Sequence, residues 1–248
     1  MLQHNSLPEQ HQNQFSFVFS TLKVGQLLRK AGIRKTYGVS TFAIFQLIFQ
    51  LVFQGRNLFR MLESKRGETL PGKDVVYRFL NETCYNWRRF YQFLGFKVVS
   101  HFESLTSAHR ISVFIIDDSV MSRQRSKKVE LLAKIYDHVS GRFIRGYNLL
   151  TLGWSDGYSF APIDFTLMSS AKAKNRLCEI RKDLDKRTIG YKRRQESMLH
   201  KPDAVVEMLQ RALKVGFSAD YVLMDSWFTQ APLLQKLMDQ GLHVIGMV

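Results

Sequence analysis

Two apolar runs, Val113-Phe114-Ile115-Ile116 and Tyr221-Val222-Leu223-Met224, each stop at an aspartate, Asp117 and Asp225. Each reads as a buried strand that delivers a carboxylate to its C-terminal end. The stretch between them is strongly basic, and the chain as a whole carries a net charge of +15. Such a balance points to a polyanionic partner and says nothing of the fold. Acids held on rigid strand ends inside a basic protein suit a metal-held site that works on nucleic acid.

Composition sets the outer bounds. A chain of 248 residues, 45% hydrophobic and 23% charged, buries one sizeable core, alone or with a small accessory domain. Global disorder is excluded. The most apolar stretch, Thr41 to Phe53, is interrupted by Gln46 and Gln50 and is too short to span a bilayer, so a core helix and no membrane partner are expected. Met1 to Gln14 is polar, lacks the basic-then-apolar order of a signal peptide, and is expected as a frayed arm. Cys84 and Cys178 have no metal-ligand spacing and no neighbouring histidine. Both are expected as buried thiols in a reducing cytosol.

The hydrophobic period changes near Arg110. Before it, Phe15, Val18, Phe19 and Leu22 recur at helical spacing, continuing through Leu27 and Leu28 to Gly32. Ser40 can cap a helix carrying Ile44, Leu47, Ile48, Leu51 and Val52, ended by Gly55. After the turn Leu70-Pro71-Gly72 comes a short helix, then a longer one with Trp87, Phe90, Tyr91, Leu94, Val98, Phe102 and Leu105 on one stripe. Residues 1–108 thus read as an all-helical N-terminal domain.

After the change, strands are expected at 111–117, 129–138, 142–154 and 158–168, with a tight turn at Ser140-Gly141 and an edge or bend at Pro162. Residues 169–201 are rich in Lys and Arg, lack sustained periodicity, and are expected as a mobile loop or frayed helix. Pro202 opens a helix closed by Gly216; a strand at 220–225, a helix from Pro232 to Gly241 and a strand from Leu242 follow. Three antiparallel strands followed by alternating helices and strands give an α/β fold of ribonuclease H-like layout over residues 109–248.

Two-metal phosphoryl transfer needs carboxylates on rigid elements to hold ions roughly 3.5–4 Å apart. Hard Mg²⁺ prefers oxygen ligands, so a few acids suffice. Asp117 and Asp118 are neighbours, and on a regular strand their side chains face opposite sides, so at most one is a core ligand. Arg123, Arg125, Lys127 and Lys128 follow directly, and Arg193 and Arg194 end the long basic segment. These are expected to contact phosphates, which gives salt-dependent affinity rather than sequence reading. Trp227 is a candidate for stacking on an unpaired base, against the commoner role of packing under the next helix. His138 could ligate a metal, but beside a glycine turn it is expected as a surface or hydrogen-bonding residue.

Ile116-Asp117-Asp118-Ser119 resembles the first-aspartate motif, D-x-[ST], of IS4-like DDE transposases, and Met224-Asp225-Ser226-Trp227-Phe228 is similar to their second. Tyr136-Asp137-His138 and Gly146-Tyr147-Asn148-Leu149-Leu150-Thr151-Leu152 also resemble that family. The resemblance implies a DNA transposase of an insertion sequence that cleaves and transfers strands at transposon ends. It implies Asp117 and Asp225 as metal ligands with Asp118 as the alternative to Asp117, Mg²⁺ or Mn²⁺ as cofactor, and DNA as partner. It further implies a DNA-binding helical N-terminus, a homodimer on DNA, and a cytoplasmic place on the bacterial nucleoid.

The family's third acid, a Glu in a Y-x2-R-x3-E-x6-K signature, follows the second aspartate, whereas Glu196 and Glu207 precede Asp225. The expectation is therefore a core incomplete at its C-terminus and weak catalysis by this chain alone. Two other readings stay open: a ribonuclease H-like nuclease, and a non-catalytic DNA-binding remnant that inhibits a longer transposase.

Overall fold

The computed structural model describes residues 9–53, 55, 57–63, 70–106 and 110–246. Most of the expected N-terminal arm, residues 1–8, lies outside them. The chain divides into two compact units, Met1–Phe90 and Tyr91–Val248.

In the first unit every regular element among the described residues is helical: α1 (Glu9–Thr21), α2 (Val24–Lys30), α3 (Thr41–Phe53), α4 (Leu58–Leu62), α5 (Lys73–Asn81) and the start of α6 (Trp87–Ser104). Two expectations are corrected. Helix begins at Glu9 rather than after Gln14, and the continuous helix expected up to Gly32 is broken at Lys23. Lys23 takes the left-handed conformation (φ 54°, ψ 40°), which no helical periodicity in the side chains signals. Ser40 acts as expected, its hydroxyl accepting the Ala43 N–H at 3.1 Å. Leu28, Ile33 and Ile44 are fully buried. The Phe19 ring meets Phe42 and Phe49 edge-on and Phe45 at a tilt, so aromatic contacts add to this small aliphatic core.

The second unit is built on a six-stranded mixed sheet of β1 (Val113–Ser122), β2 (Ala133–Asp137), β3 (Arg142–Ser155), β4 (Phe160–Met168), β5 (Tyr221–Met224) and β6 (His243–Gly246). The order is β2-β3-β1-β5-β6. β3 is long enough to serve two partners along one edge: residues 142–146 pair with β2, and residues 148–155 pair with β4. Its other edge pairs antiparallel with β1. β1, β5 and β6 run parallel. Pro162 sits on β4 where the register to β3 shifts, the edge irregularity that a residue without an N–H requires.

Helices α8 (Lys201–Val215) and α9 (Ala231–Met238) pack on the sheet together with the end of α6. Val205, Met208, Leu209 and Ala212 of α8, Leu233 and Leu237 of α9 and Val99 of α6 meet Phe114, Ile116, Val222 and Met224. Pro202 lies in the first turn of α8, and Gly216 closes that helix at φ 110°, a value a side chain disfavours. The segment expected as a mobile loop or frayed helix is regular in part: it holds a 3₁₀ turn at Ala173–Asn175 and helix α7 (Ile189–Glu196). This mixed α/β arrangement agrees with the ribonuclease H-like layout expected from the order of elements.

Candidate active site

β1 runs past both of its aspartates to Ser122, so the first carboxylates lie within a strand, not at its end as expected. What ends there is the parallel partner. The last paired residues are Ile116 and Met224, after which β5 leaves the sheet. Asp117 and Asp118 therefore stand where the strand loses a neighbour and a cleft can form. That is the functional equivalent of a strand end.

Strand alternation then separates the two acids. Phe114 and Ile116 are buried beneath the helices, and Asp118, two residues on, continues their face. Asp117 lies on the opposite face, is exposed, and accepts the Asp118 backbone N–H at 2.8 Å. Asp118 is half-buried and reaches Lys201 Nζ, at the first residue of α8, at 2.5 Å.

Asp225 opens the turn after β5. Its Oδ1 accepts the Phe228 N–H at 3.3 Å, and its carbonyl accepts the Thr229 hydroxyl at 2.9 Å. Phe228 is fully buried and anchors that turn in the core. Trp227 faces outward, 42% exposed, with Lys201 Nζ 4.7 Å from its ring centroid.

Asp118, Asp225, Lys201 and Trp227 line one cavity of about 1010 Å³. Asp117 is not among its lining residues. Ser119, Asn148 and the β2–β3 hairpin residues Tyr136, Asp137 and His138 complete the wall that matters here. Asp137 serves the hairpin itself: its carboxylate accepts the Ser140 hydroxyl at 2.6 Å and the Val139 N–H at 3.1 Å. The Ser140 bond, with these backbone donors, holds the Asp137 carboxyl below its ordinary 3.8. His138 is exposed, as expected, with its ring edge-on to Tyr136.

The donor set is compatible with a hard divalent cation. Asp118 Oδ1 and Asp225 Oδ2 accept no hydrogen bond from the described residues, and carboxylate oxygens are the ligands that Mg²⁺ and Mn²⁺ take. Among the described residues no group of three or more His, Cys, Asp and Glu stands together as a ready metal cluster. The arrangement therefore offers two carboxylates, one of them bridged to a lysine.

The basic residues separate into two classes. Arg123, Arg125, Lys127 and Lys128 are all exposed on the loop after β1, beside the cavity-lining Ser122 and Gln124. In the long basic segment four arginines pair with acids of the chain: Arg176 with Glu179, Arg181 with Glu130, Arg187 with Asp185, and Arg194 with Glu130 at 2.5 Å. Arg193 lies over the Phe165 ring at 5.5 Å. The structure thus gives Arg193 and Arg194 internal partners.

Sequence reasoning missed Lys201. It lies at the junction of a polar segment and a proline-started helix, and nothing in its sequence setting marks it. The buried-thiol expectation is corrected for Cys84, which is exposed. Cys178 is half-buried, its thiol donating to the Lys127 carbonyl at 3.4 Å.

The Drosophila P element transposase strand transfer complex contains a chain that is 13% identical to this one, with a TM-score of 0.33. That comparison covers 94% of this chain and 42% of the other, so the present chain spans less than half of that relative's length. No curated protein matches the chain. A sequence model of the family described as DDE superfamily endonuclease matches residues 50–248, well over half of the chain and all of the sheet, and the chain belongs to that family.

Proposed function

We propose that this protein is a DNA transposase of the IS4-like kind, which cleaves and joins strands at transposon ends with Mg²⁺ or Mn²⁺. The observation that carries the reading is the shared cavity of Asp118 and Asp225, two acids supplied by neighbouring parallel strands. In this reading Asp118 and Asp225 hold the ion, and Asp118 takes the place that the D-x-[ST] motif assigns to Asp117. A divalent ion held there would polarise a phosphoryl oxygen and activate an attacking one. The rigid sheet and the turn anchored by Phe228 fix the carboxylates before substrate arrives, which is where positioning gains its rate. Exposed Arg123, Arg125, Lys127 and Lys128 take phosphates of the DNA flanking the cavity, and the half-exposed Trp227 supplies a face for an unpaired base. Two copies on paired ends, on the bacterial nucleoid, complete the proposal.

A second reading is favoured by one observation, the absence of a three-member acid cluster among the described residues. On that reading the chain binds DNA without cutting it. Incubation of the chain with Mn²⁺ and DNA, with products resolved on denaturing gels, separates them. Nicks that disappear in both Asp118→Asn and Asp225→Asn, followed by strand joining, support the transposase. Hydrolysis without joining supports a nuclease, and binding with no product in Mn²⁺ supports the non-catalytic reading.

A further inference from the structure

We propose that Lys201 is a resident counter-cation of the acid pair: its ammonium holds Asp118 until a divalent ion displaces it, and it then takes a phosphate oxygen of the DNA. The inference rests on Asp118 being a metal ligand. Lys201 Nζ lies 2.5 Å from Asp118 Oδ2 and 4.7 Å from the Trp227 ring centroid, so one ammonium touches both the acid and the aromatic wall of the cavity. Both partners of the ion pair are half-buried. A carboxylate oxygen engaged by an ammonium cannot offer its full charge to a metal ion at the same moment.

The backbone of Lys201 is fixed by the helix, whereas its head is held by side-chain contacts alone. It is the first residue of α8, whose opening turn is closed by the Asp203 and Ala204 N–H groups on the His200 carbonyl. Four flexible methylene groups then carry a compact point charge, which exchanges partners more readily than a planar guanidinium. Formal charge favours the exchange. With Lys201 in place, Asp118 and Asp225 leave one negative charge uncompensated. A divalent ion turns the trio positive by one, and the released ammonium meets its next anion in the polyanionic substrate. The Trp227 face gives it a seat between the two positions.

The test is Mn²⁺ binding by the full chain, followed by the paramagnetic resonance signal of the free ion, in the unaltered protein, Lys201→Met and Lys201→Arg. Removing the competing ammonium is expected to tighten Mn²⁺ binding about tenfold in Lys201→Met, while Lys201→Arg stays within about twofold of the unaltered chain. Lys201→Gln repeats the measurement, so that a folding defect of the methionine variant does not decide it. In parallel, Mg²⁺ should change the tryptophan emission of the unaltered chain, and should not in Lys201→Met or in Trp227→Phe. Mn²⁺ binding that is unchanged or weaker in Lys201→Met and Lys201→Gln overturns the proposal and leaves the acid pair standing as a metal site. Failure of the unaltered chain and of both neutral variants to bind Mn²⁺ removes the metal site and the proposal together.

Discussion

Arg211 reaches three acids from one position on α8: Asp164 at 3.0 Å, Glu196 at 2.9 Å and Glu207 at 3.5 Å. Asp164 is fully buried and also accepts from Gln92 Nε2, while Glu196 accepts the Thr166 hydroxyl. Burial alone would lower the Arg211 pKa, yet Asp164 and then Glu196 lift it above its ordinary value, so the cation persists at every working pH. Breaking a buried pair by removing one partner is far costlier than the pair's net worth. Arg211→Met is therefore expected to lower unfolding stability by about 3 kcal/mol, read as a reduced urea midpoint at unchanged slope. This network also explains why Glu196 is a structural acid. Sequence placed it in a mobile segment, because the ion pairs that bury it come from residues remote along the chain.

At the scale of elements, the strands and the two C-terminal helices were legible because each is a local apolar pattern with its own punctuation, Pro202 and Gly216 among it. Helix α7 was not. Its residues Ile189–Glu196 carry no apolar stripe; Thr188 caps it by accepting the Tyr191 N–H, and Arg194 ties it to Glu130. The extension of β1 to Ser122 was equally hidden, since residues 119–122 are held by pairing to Asn148, Tyr147, Gly146 and Leu149 of β3, not by their own hydrophobicity. Gly146 marks the tightest point of that pairing: a Cβ there would lie 2.3 Å from the Met121 carbonyl oxygen. Backbone cannot give way as a side chain can. Gly146→Ala is expected to cost about 2 kcal/mol or more and to lower the melting temperature.

For the whole molecule, the charge of +15 is unevenly usable, because Arg176, Arg181, Arg187 and Arg194 of the long basic segment pair with acids of the chain while the loop after β1 stays exposed. Replacing Arg123, Arg125, Lys127 and Lys128 together by Gln should flatten the dependence of log K for duplex DNA on log salt by up to about 0.9 per lost phosphate contact. An unaltered slope would remove that loop from the DNA interface. The two-aspartate pattern itself was legible in the sequence, since each acid ends a local apolar run. Which of Asp117 and Asp118 joins Asp225 was not, because that depends on the face of β1 that α8 covers. The decisive measurement is the Mn²⁺ affinity of four chains: unaltered, Asp117→Asn, Asp118→Asn and Asp225→Asn. Affinity lost about tenfold or more in Asp118→Asn and Asp225→Asn, and kept in Asp117→Asn, is the expected result. Loss in Asp117→Asn with Asp118→Asn unaffected, or Mn²⁺ binding indifferent to Asp225, would contradict the account.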